Sequence, residues 1–555
     1  MGKKVVILGG GVAGMSAAHE LSERGFRVSV YELKPFCGGK ARSMDVPGSG
    51  TATTPALPGE HGFRFFPRFY QHLPDTMKRI PVSGNDNGVF DNLVDANRGE
   101  MARYGKPPIE LVTRFPRTLN DVEDLLEEVF GGNDTGLQSG DIKYFASRLW
   151  QLMTSCAGRR LAEYEQQSWW DFIGADGRSP AYQNLLAVGL TRTLVAAKAR
   201  EASARTGGDI LLQLVFDMLT PGVSSDRLLN APTNEAWLNP WMNYLRAQQV
   251  DYHLNAKLDQ FICSGGNISG VSITENGVSS VVAGDYYVSA LPVEVIATFV
   301  NADMIQADPT LANISLLAPN VSWMNGIQYY LFNDVAIVAG HTIYIDTPWA
   351  LTSVSQKQFW PAVDLTKRGD GTIQGILSVD ISDWDTPGEL FSDSNGKFKA
   401  ARDCTADEIS KEVWNQLKKS VNRETEILSD ANLHSWFLDP DILIPLPDRP
   451  GTKVNVEPLL VNKKDTWKWR PDAKTAIPNF FLASDFVRTN TDLATMEGAN
   501  EAARRAVNAI LEASGSDQDP CQLWDLHEPL LLWPFRERDT IRFNKGLPWD
   551  GKLLD

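Results

Sequence analysis

Few side chains in this 555-residue chain stand at spacings that could do chemistry by themselves. Cys37, Cys156, Cys263, Cys404 and Cys521 lie far apart with no C-x-x-C pair, which argues against a disulfide framework or a zinc site. The histidines form no H-E-x-x-H or similar cluster, so no metal is expected. No Ser-His-Asp or Cys-His constellation has a recognisable context, and there is no P-loop. The pattern lies in glycines instead. Gly9, Gly11 and Gly14 form G-x-G-x-x-G directly after Val5-Val6-Ile7-Leu8, and Glu32 follows at about the 20-residue spacing at which an acid meets a ribose hydroxyl.

The surrounding elements must hold those residues in place. The β-branched run before Gly9 predicts a buried parallel strand. Ala13, Ala17 and Leu21 recur at helical spacing, and Arg27 to Tyr31 predicts a second strand leading to Glu32 and Leu33. Gly9 permits the tight turn, Gly11 lets the backbone approach a pyrophosphate, and Gly14 allows close helix–strand packing. The helix start around Ala13 offers free N–H groups and a positive dipole end. This βαβ fingerprint serves FAD and NAD alike. Gly38-Gly39-Lys40-Ala41-Arg42 suits a second approach to the diphosphate, or equally a basic surface turn.

The fingerprint followed by a GGK element resembles the flavin amine oxidase and phytoene desaturase superfamily. Glu60, Gly62, Phe66 and Tyr70 match the E-x-G-x-H-x-F-x-x-x-Y element of plant-type phytoene desaturases, with Arg64 where that pattern has histidine. The resemblance implies that Gly62, Phe63 and Arg64 lie beside a flavin. It implies two further returns of the chain to the same sheet. The first runs through Val250–Leu254, Ile268–Ile273 and Tyr286–Ser289, with Asn276-Gly277 as a hairpin signal. Leu258 falls where the family's backbone meets an adenine, and Ala290 closes the unit. The second is Asn479–Ala483, ending in Ser484-Asp485, then Thr495-Met496-Glu497-Gly498-Ala499 opening a helix through Leu511. By resemblance Asp485 contacts the ribityl chain, the backbone around Thr495 and Met496 meets the pyrimidine edge, and Ala499 is counted with the cofactor-binding residues. FAD is therefore the expected cofactor, and a helix start there would stabilise negative charge on a reduced ring.

The expected fold is α/β: a Rossmann-like FAD-binding domain of the GR2 type, interleaved with an α+β substrate domain. Segments 1–94, 226–299 and 471–515 are assigned to the first and 95–225 and 300–470 to the second, with 516–555 as a Trp/Pro-rich C-terminal arm. In the helical segment, Leu125, Leu126, Val129 and Phe130 form one apolar stripe, and Leu190 to Val195 another. Asp209 is read as the cap of a helix stopped by Pro221-Gly222. Trp323, Trp349, Phe359 and Trp360 are read as core aromatics or as walls of an apolar tunnel. The arm cannot be a long helix; it packs over the body or docks on a partner.

The reading is a desaturase or dehydrogenase acting on a lipophilic polyene, isoprenoid or carotenoid-like substrate. Alternatives are a redox-neutral double-bond isomerase of a polyene or fatty acid, a flavin amine oxidase, and a flavin-binding protein without turnover. Arg64 and Arg192 are the candidate catalytic polar groups. The acidic balance, 69 Asp+Glu against 53 Lys+Arg and a net charge of −16, argues against nucleic-acid partners. The run Val5–Leu8 is too short for a signal peptide, and no apolar stretch approaches the ~18 residues of a spanning helix. A cytoplasmic location is expected, with any membrane contact peripheral and at the inner face. No feature of the sequence sets an oligomeric state.

Overall fold

A computed structural model describes residues 2–96, 98–110, 119–127, 134–189, 198–218, 224, 226–443 and 453–553. Arg192, the stripe from Leu190 to Val195, Val129, Phe130 and the Pro221-Gly222 stop lie outside these residues.

Lys4–Leu8 (β1) forms a strand because Val5, Val6 and Ile7 are apolar on both faces, and all three are wholly buried. Arg27–Glu32 (β2), Asp251–Leu254 (β3), Tyr286–Ser289 (β4) and Phe480–Leu482 (β5) complete a parallel sheet in the order β5-β4-β1-β2-β3. One sheet thus draws on the beginning, the middle and the far end of the chain. Val12–Glu23 (α1) links β1 to β2, and Met496–Ser514 (α2) follows β5. Asn500 on α2 donates to Ser16 Oγ on α1 at 2.8 Å, tying the two helices together.

Two glycines decide the first turn. Gly9 has φ +106°, which an L side chain resists. A β-carbon on Gly14 would lie 1.9 Å from the Gly9 carbonyl oxygen, so α1 can rest on β1 only with glycine there. Helix α2 begins at Thr495, whose hydroxyl accepts from Gly498 N, and ends at Gly515 in the left-handed region. Its buried stripe includes Ala503, Ala506, Val507 and Ile510, at the expected spacing.

Glu497 does more than begin a helix. Its carboxylate accepts from Gln71 N and His72 N at 2.7 Å and from Leu73 N at 2.8 Å. It therefore satisfies the open N–H groups at the start of the short helix His72–Lys78. His72 Nδ1 lies 2.8 Å from the same carboxylate, while His72 Nε2 accepts from Trp524 N.

A second sheet of seven strands is mixed. Its order is Leu433–Leu438, Asn325–Leu331, Gly375–Ile381, Leu351–Ser355, Gly340–Tyr344, Arg98–Arg103 and Lys106–Glu110. A helical layer with its own core, including Phe145, Trp169, Phe172 and Leu212, stands beside it. The 60–64 segment docks on the sheet where Gly326 N donates to His61 O at 2.7 Å. A β-carbon on Gly326 would lie 2.7 Å from Gly62 Cα, so that strand carries glycine at the crossing.

Several expectations are corrected. Asn276-Gly277 does turn a hairpin, with both residues at positive φ, but its arms are Asn267–Glu275 and Val278–Val282. Tyr286–Ser289 leaves that hairpin for the parallel sheet. Asp209 caps nothing: it sits inside the helix Ala204–Met218 and pairs with Arg160 at 3.0 Å. Of the aromatics read as core or as tunnel walls, Trp349, Phe359 and Trp360 are core, as the first of those readings has it, with Trp349 donating to Thr386 O. The arm contains a twelve-residue helix, Trp533–Asn544, with Pro534 in its first turn where proline costs no hydrogen bond. Asp539 of that helix accepts from Cys156 N and Arg159 Nε, so the arm packs on the body.

Candidate functional site

The open ends of β1, β4 and β5, the starts of α1 and α2, and the 60–70 segment surround one large cavity of about 650 Å³. Of the residues singled out from sequence, Gly9, Gly11, Ala13, Glu32, Leu33, Gly38, Gly39, Lys40, Gly62, Phe63 and Arg64 line it. So do Leu258, Ala290, Ser484, Asp485, Thr495, Met496 and Ala499. Gly14 and Arg42 do not. Gly14 is spent on helix packing, as its contact with Gly9 shows. Arg42 is buried between Asp441, at 2.6 Å, and Glu457, at 2.9 Å. Its charge is met by protein carboxylates rather than turned to the cavity.

The glycine end has the character of an anion site. No side chain caps α1, so its first N–H groups open toward the cavity. A β-carbon on Gly11 would meet only Gly39, at 3.6 Å, which leaves its face clear. Gly38 and Gly39 both adopt positive φ as their backbone crosses Gly11. At one side Glu32 is anchored by Gly10 N at 2.6 Å and Lys34 N at 2.8 Å. Burial pushes its carboxyl above the usual range, against the pull of those two N–H groups. Leu258 stands at a bulge in the strand Ala256–Ser264, which turns that edge to the cavity.

At the other side Thr495 presents the start of α2, and its hydroxyl reaches the Tyr70 hydroxyl. These features fit FAD: the uncapped start of α1, glycine faces without β-carbons, and an anchored acid. When bound there, FAD supplies the electron-accepting ring.

Arg64, read from sequence as a candidate catalytic group, is a brace in the structure. Its guanidinium donates to Gly62 O at 2.9 Å, to Phe63 O at 3.1 Å and to Lys40 O, joining the two loops. Its Nε finds no partner. Beside it, Glu60 accepts from Thr233 N and Thr233 Oγ1. Burial pushes Glu60 up to about 7, and Asp380 likewise. His61 Nδ1 lies 2.8 Å from Asp439 and 3.2 Å from Asp441.

Sequence reasoning missed a further wall. Phe65, Phe69, Ile210, Leu214, Phe299, Met324, Leu459, Leu460 and Leu493 make much of it apolar, and Asp380 interrupts it. Most of these are ordinary core-type residues whose convergence is tertiary. Asp380 carried a usable signal, a lone acid in the apolar strand Gly-Ile-Leu-Ser-Val-Asp-Ile.

Comparisons with known proteins agree with this architecture. Residues 7–80 match the family model of an NAD(P)-binding Rossmann-like domain, and residues 356–511 that of flavin containing amine oxidoreductases. A "Probable zeta-carotene desaturase" of Synechococcus elongatus is 22% identical over 538 residues, 92% of this chain and 99% of that protein. A 15-cis-phytoene desaturase of the same species is 21% identical, covering 92% and 96%. Among solved structures, cyclohexylamine oxidase from Brevibacterium oxydans superposes with a TM-score of 0.60 at 12% identity, covering 93% of this chain and 100% of that one. Fold and site define an FAD-dependent oxidoreductase. The two family models and the desaturase relatives together support the superfamily of FAD-dependent desaturases and flavin amine oxidases.

Proposed function

We propose that the protein dehydrogenates a lipophilic polyene of the carotenoid or isoprenoid class. The observation that carries this is the cavity itself: a glycine-lined anion end continues into a wall of Phe65, Phe69, Ile210, Leu214, Met324 and Leu460. Such a wall excludes water and orients an apolar chain without polar anchors. The desaturase relatives, matched over nearly their whole length, support the same substrate class. On this reading Gly9, Gly11 and Ala13 hold the diphosphate, Glu32, Leu33 and Leu258 the adenosine, and Asp485, Thr495 and Met496 the ribityl chain and ring. The shared parallel sheet supports the discontinuous cofactor domain 1–94, 226–299 and 471–515. Any membrane contact belongs to the mouth of the cavity; no helix among the described residues is long and apolar enough to cross a membrane.

The test is anaerobic mixing of the FAD-loaded protein with phytoene or zeta-carotene in detergent. Bleaching of the flavin with gain of one double bond is expected. Product of unchanged mass would replace the reading with isomerisation, and hydrogen peroxide from amines with an oxidase. Glu32→Ala and Asp485→Ala are each expected to lower FAD occupancy roughly tenfold or more, since each removes a carboxylate acceptor for hydroxyl groups of the cofactor. Full occupancy in either would remove that residue from the site.

A further inference from the structure

We propose that Asp380 is the proton acceptor of this site, on the reading above that the substrate is a polyene losing two hydrogens. Desaturation breaks two C–H bonds. One hydrogen leaves as hydride to the oxidised flavin. The other leaves as a proton, and its bonding electron pair becomes the new C=C bond. With bound FAD as the hydride acceptor, a group of the protein would have to take the proton, and an apolar wall has few candidates.

Asp380 interrupts that wall from the strand Gly375–Ile381, opposite Gly326 in the antiparallel register. It is 7% exposed, and its Oδ1 has no hydrogen-bond partner. An unpartnered buried carboxyl oxygen costs free energy, and a site that receives protons is a reason to keep one. The space it occupies is reserved for it. A β-carbon on Gly62 would lie 2.6 Å from Oδ1, so the glycine of the E-x-G element clears room for this carboxyl. Phe63 N–H donates to it from the same segment.

The charged groups facing Asp380 come from two elements. Arg64 and His61 approach from the 60–64 segment, and Asp439 from the end of the strand Leu433–Leu438. Glu60 lies behind Arg64, across a water-sized cavity that both residues border. Burial raises the Asp380 carboxyl to about 7 despite Arg64 and His61. A group so placed takes a proton near neutrality and releases it again between turnovers.

The experiment compares wild type, Asp380→Asn and Asp380→Ala, each loaded with FAD. Anaerobic flavin reduction by phytoene is followed across pH. In wild type the rate should rise with pH through about 7, because the ionised carboxylate is the base. Asp380→Asn should keep its FAD spectrum and lose roughly 10² to 10⁴-fold in rate, with the rise gone. Formate should restore part of the rate in Asp380→Ala, which covers the case of a poorly folding Asn variant. Infrared difference titration of the protein without substrate provides a readout apart from turnover. Glu60 and Asp380 should both contribute carboxyl C=O absorption that titrates near pH 7, and the part lost in Asp380→Asn is that of Asp380. Wild-type rate and pH profile in Asp380→Asn would overturn the proposal while leaving the dehydrogenase reading intact. Absence of bleaching in wild type would defeat that reading, and this inference with it.

Discussion

Glu60 shows what burial does to a single carboxyl. It sits between Thr233, whose N–H and hydroxyl favour its charged form, and an interior that disfavours it, and burial wins. Its proton is held up to about pH 7 in the folded protein, against about 4.3 for an unfolded glutamate. Folding therefore takes up a proton between those values, and stability falls as pH rises through that window. Glu60→Gln keeps an acceptor for Thr233 and cannot ionise. It should be more stable than wild type at pH 8 by on the order of 2 kcal/mol, with the advantage fading below pH 5. Urea unfolding at the two pH values checks this. A pH-independent loss would show that Arg64 holds Glu60 ionised. Gly14 makes the opposite kind of demand, for the absence of a side chain. Gly14→Ala places a carbon 1.9 Å from Gly9 O and should cost about 1–3 kcal/mol, visible as a lower thermal midpoint.

Among the elements, α2 carries the densest set of duties. Its first turn lines the cavity through Met496 and Ala499, while Glu497 turns away to complete the helix His72–Lys78. Glu497→Ala would leave three N–H groups and His72 without their acceptor. The expected cost is about 3–5 kcal/mol, by analogy with breaking a buried pair. A drop in urea midpoint with an unchanged slope would register it. Elements of this kind were legible in sequence because their signals are local. Strand β1, the glycine turn, the Thr495 cap and the alanine stripe each lie within one stretch of chain. What escaped was set by distant partners. Arg42 reads as a phosphate ligand until Asp441 and Glu457, some 400 residues on, claim it. Asp380 becomes a cavity residue only because Gly326 brings Gly62 across its strand. Asp209 has the composition of a cap, but the helix begins five residues earlier at Ala204, and Arg160 decides its role.

At the scale of the whole molecule, the C-terminal arm connects the helical layer to the cavity. Gln213 lies in the helix Ala204–Met218, whose Ile210 and Leu214 help form the apolar wall. Gln213 exchanges two hydrogen bonds with the backbone of His527, Nε2 to His527 O at 2.9 Å and His527 N to Oε1 at 3.0 Å. Farther along, Leu532 enters the helical core and Asp539 neutralises Arg159, which is 1% exposed. The arm thus holds a wall of the site from outside. Gln213 itself does not line the cavity, so Gln213→Ala changes no surface that FAD or substrate would touch. It leaves the two His527 groups without partners and should cost about 1–3 kcal/mol locally. If the arm positions the apolar wall, that loss falls on substrate binding: the KM for a polyene should rise roughly tenfold, which is about 1.4 kcal/mol. FAD occupancy should stay at the wild-type level, because the glycine end is held by β1, α1 and β2. Measured together, a raised KM with full flavin content places the arm in substrate recognition. Parallel loss of flavin and activity would instead make it a general support of the fold.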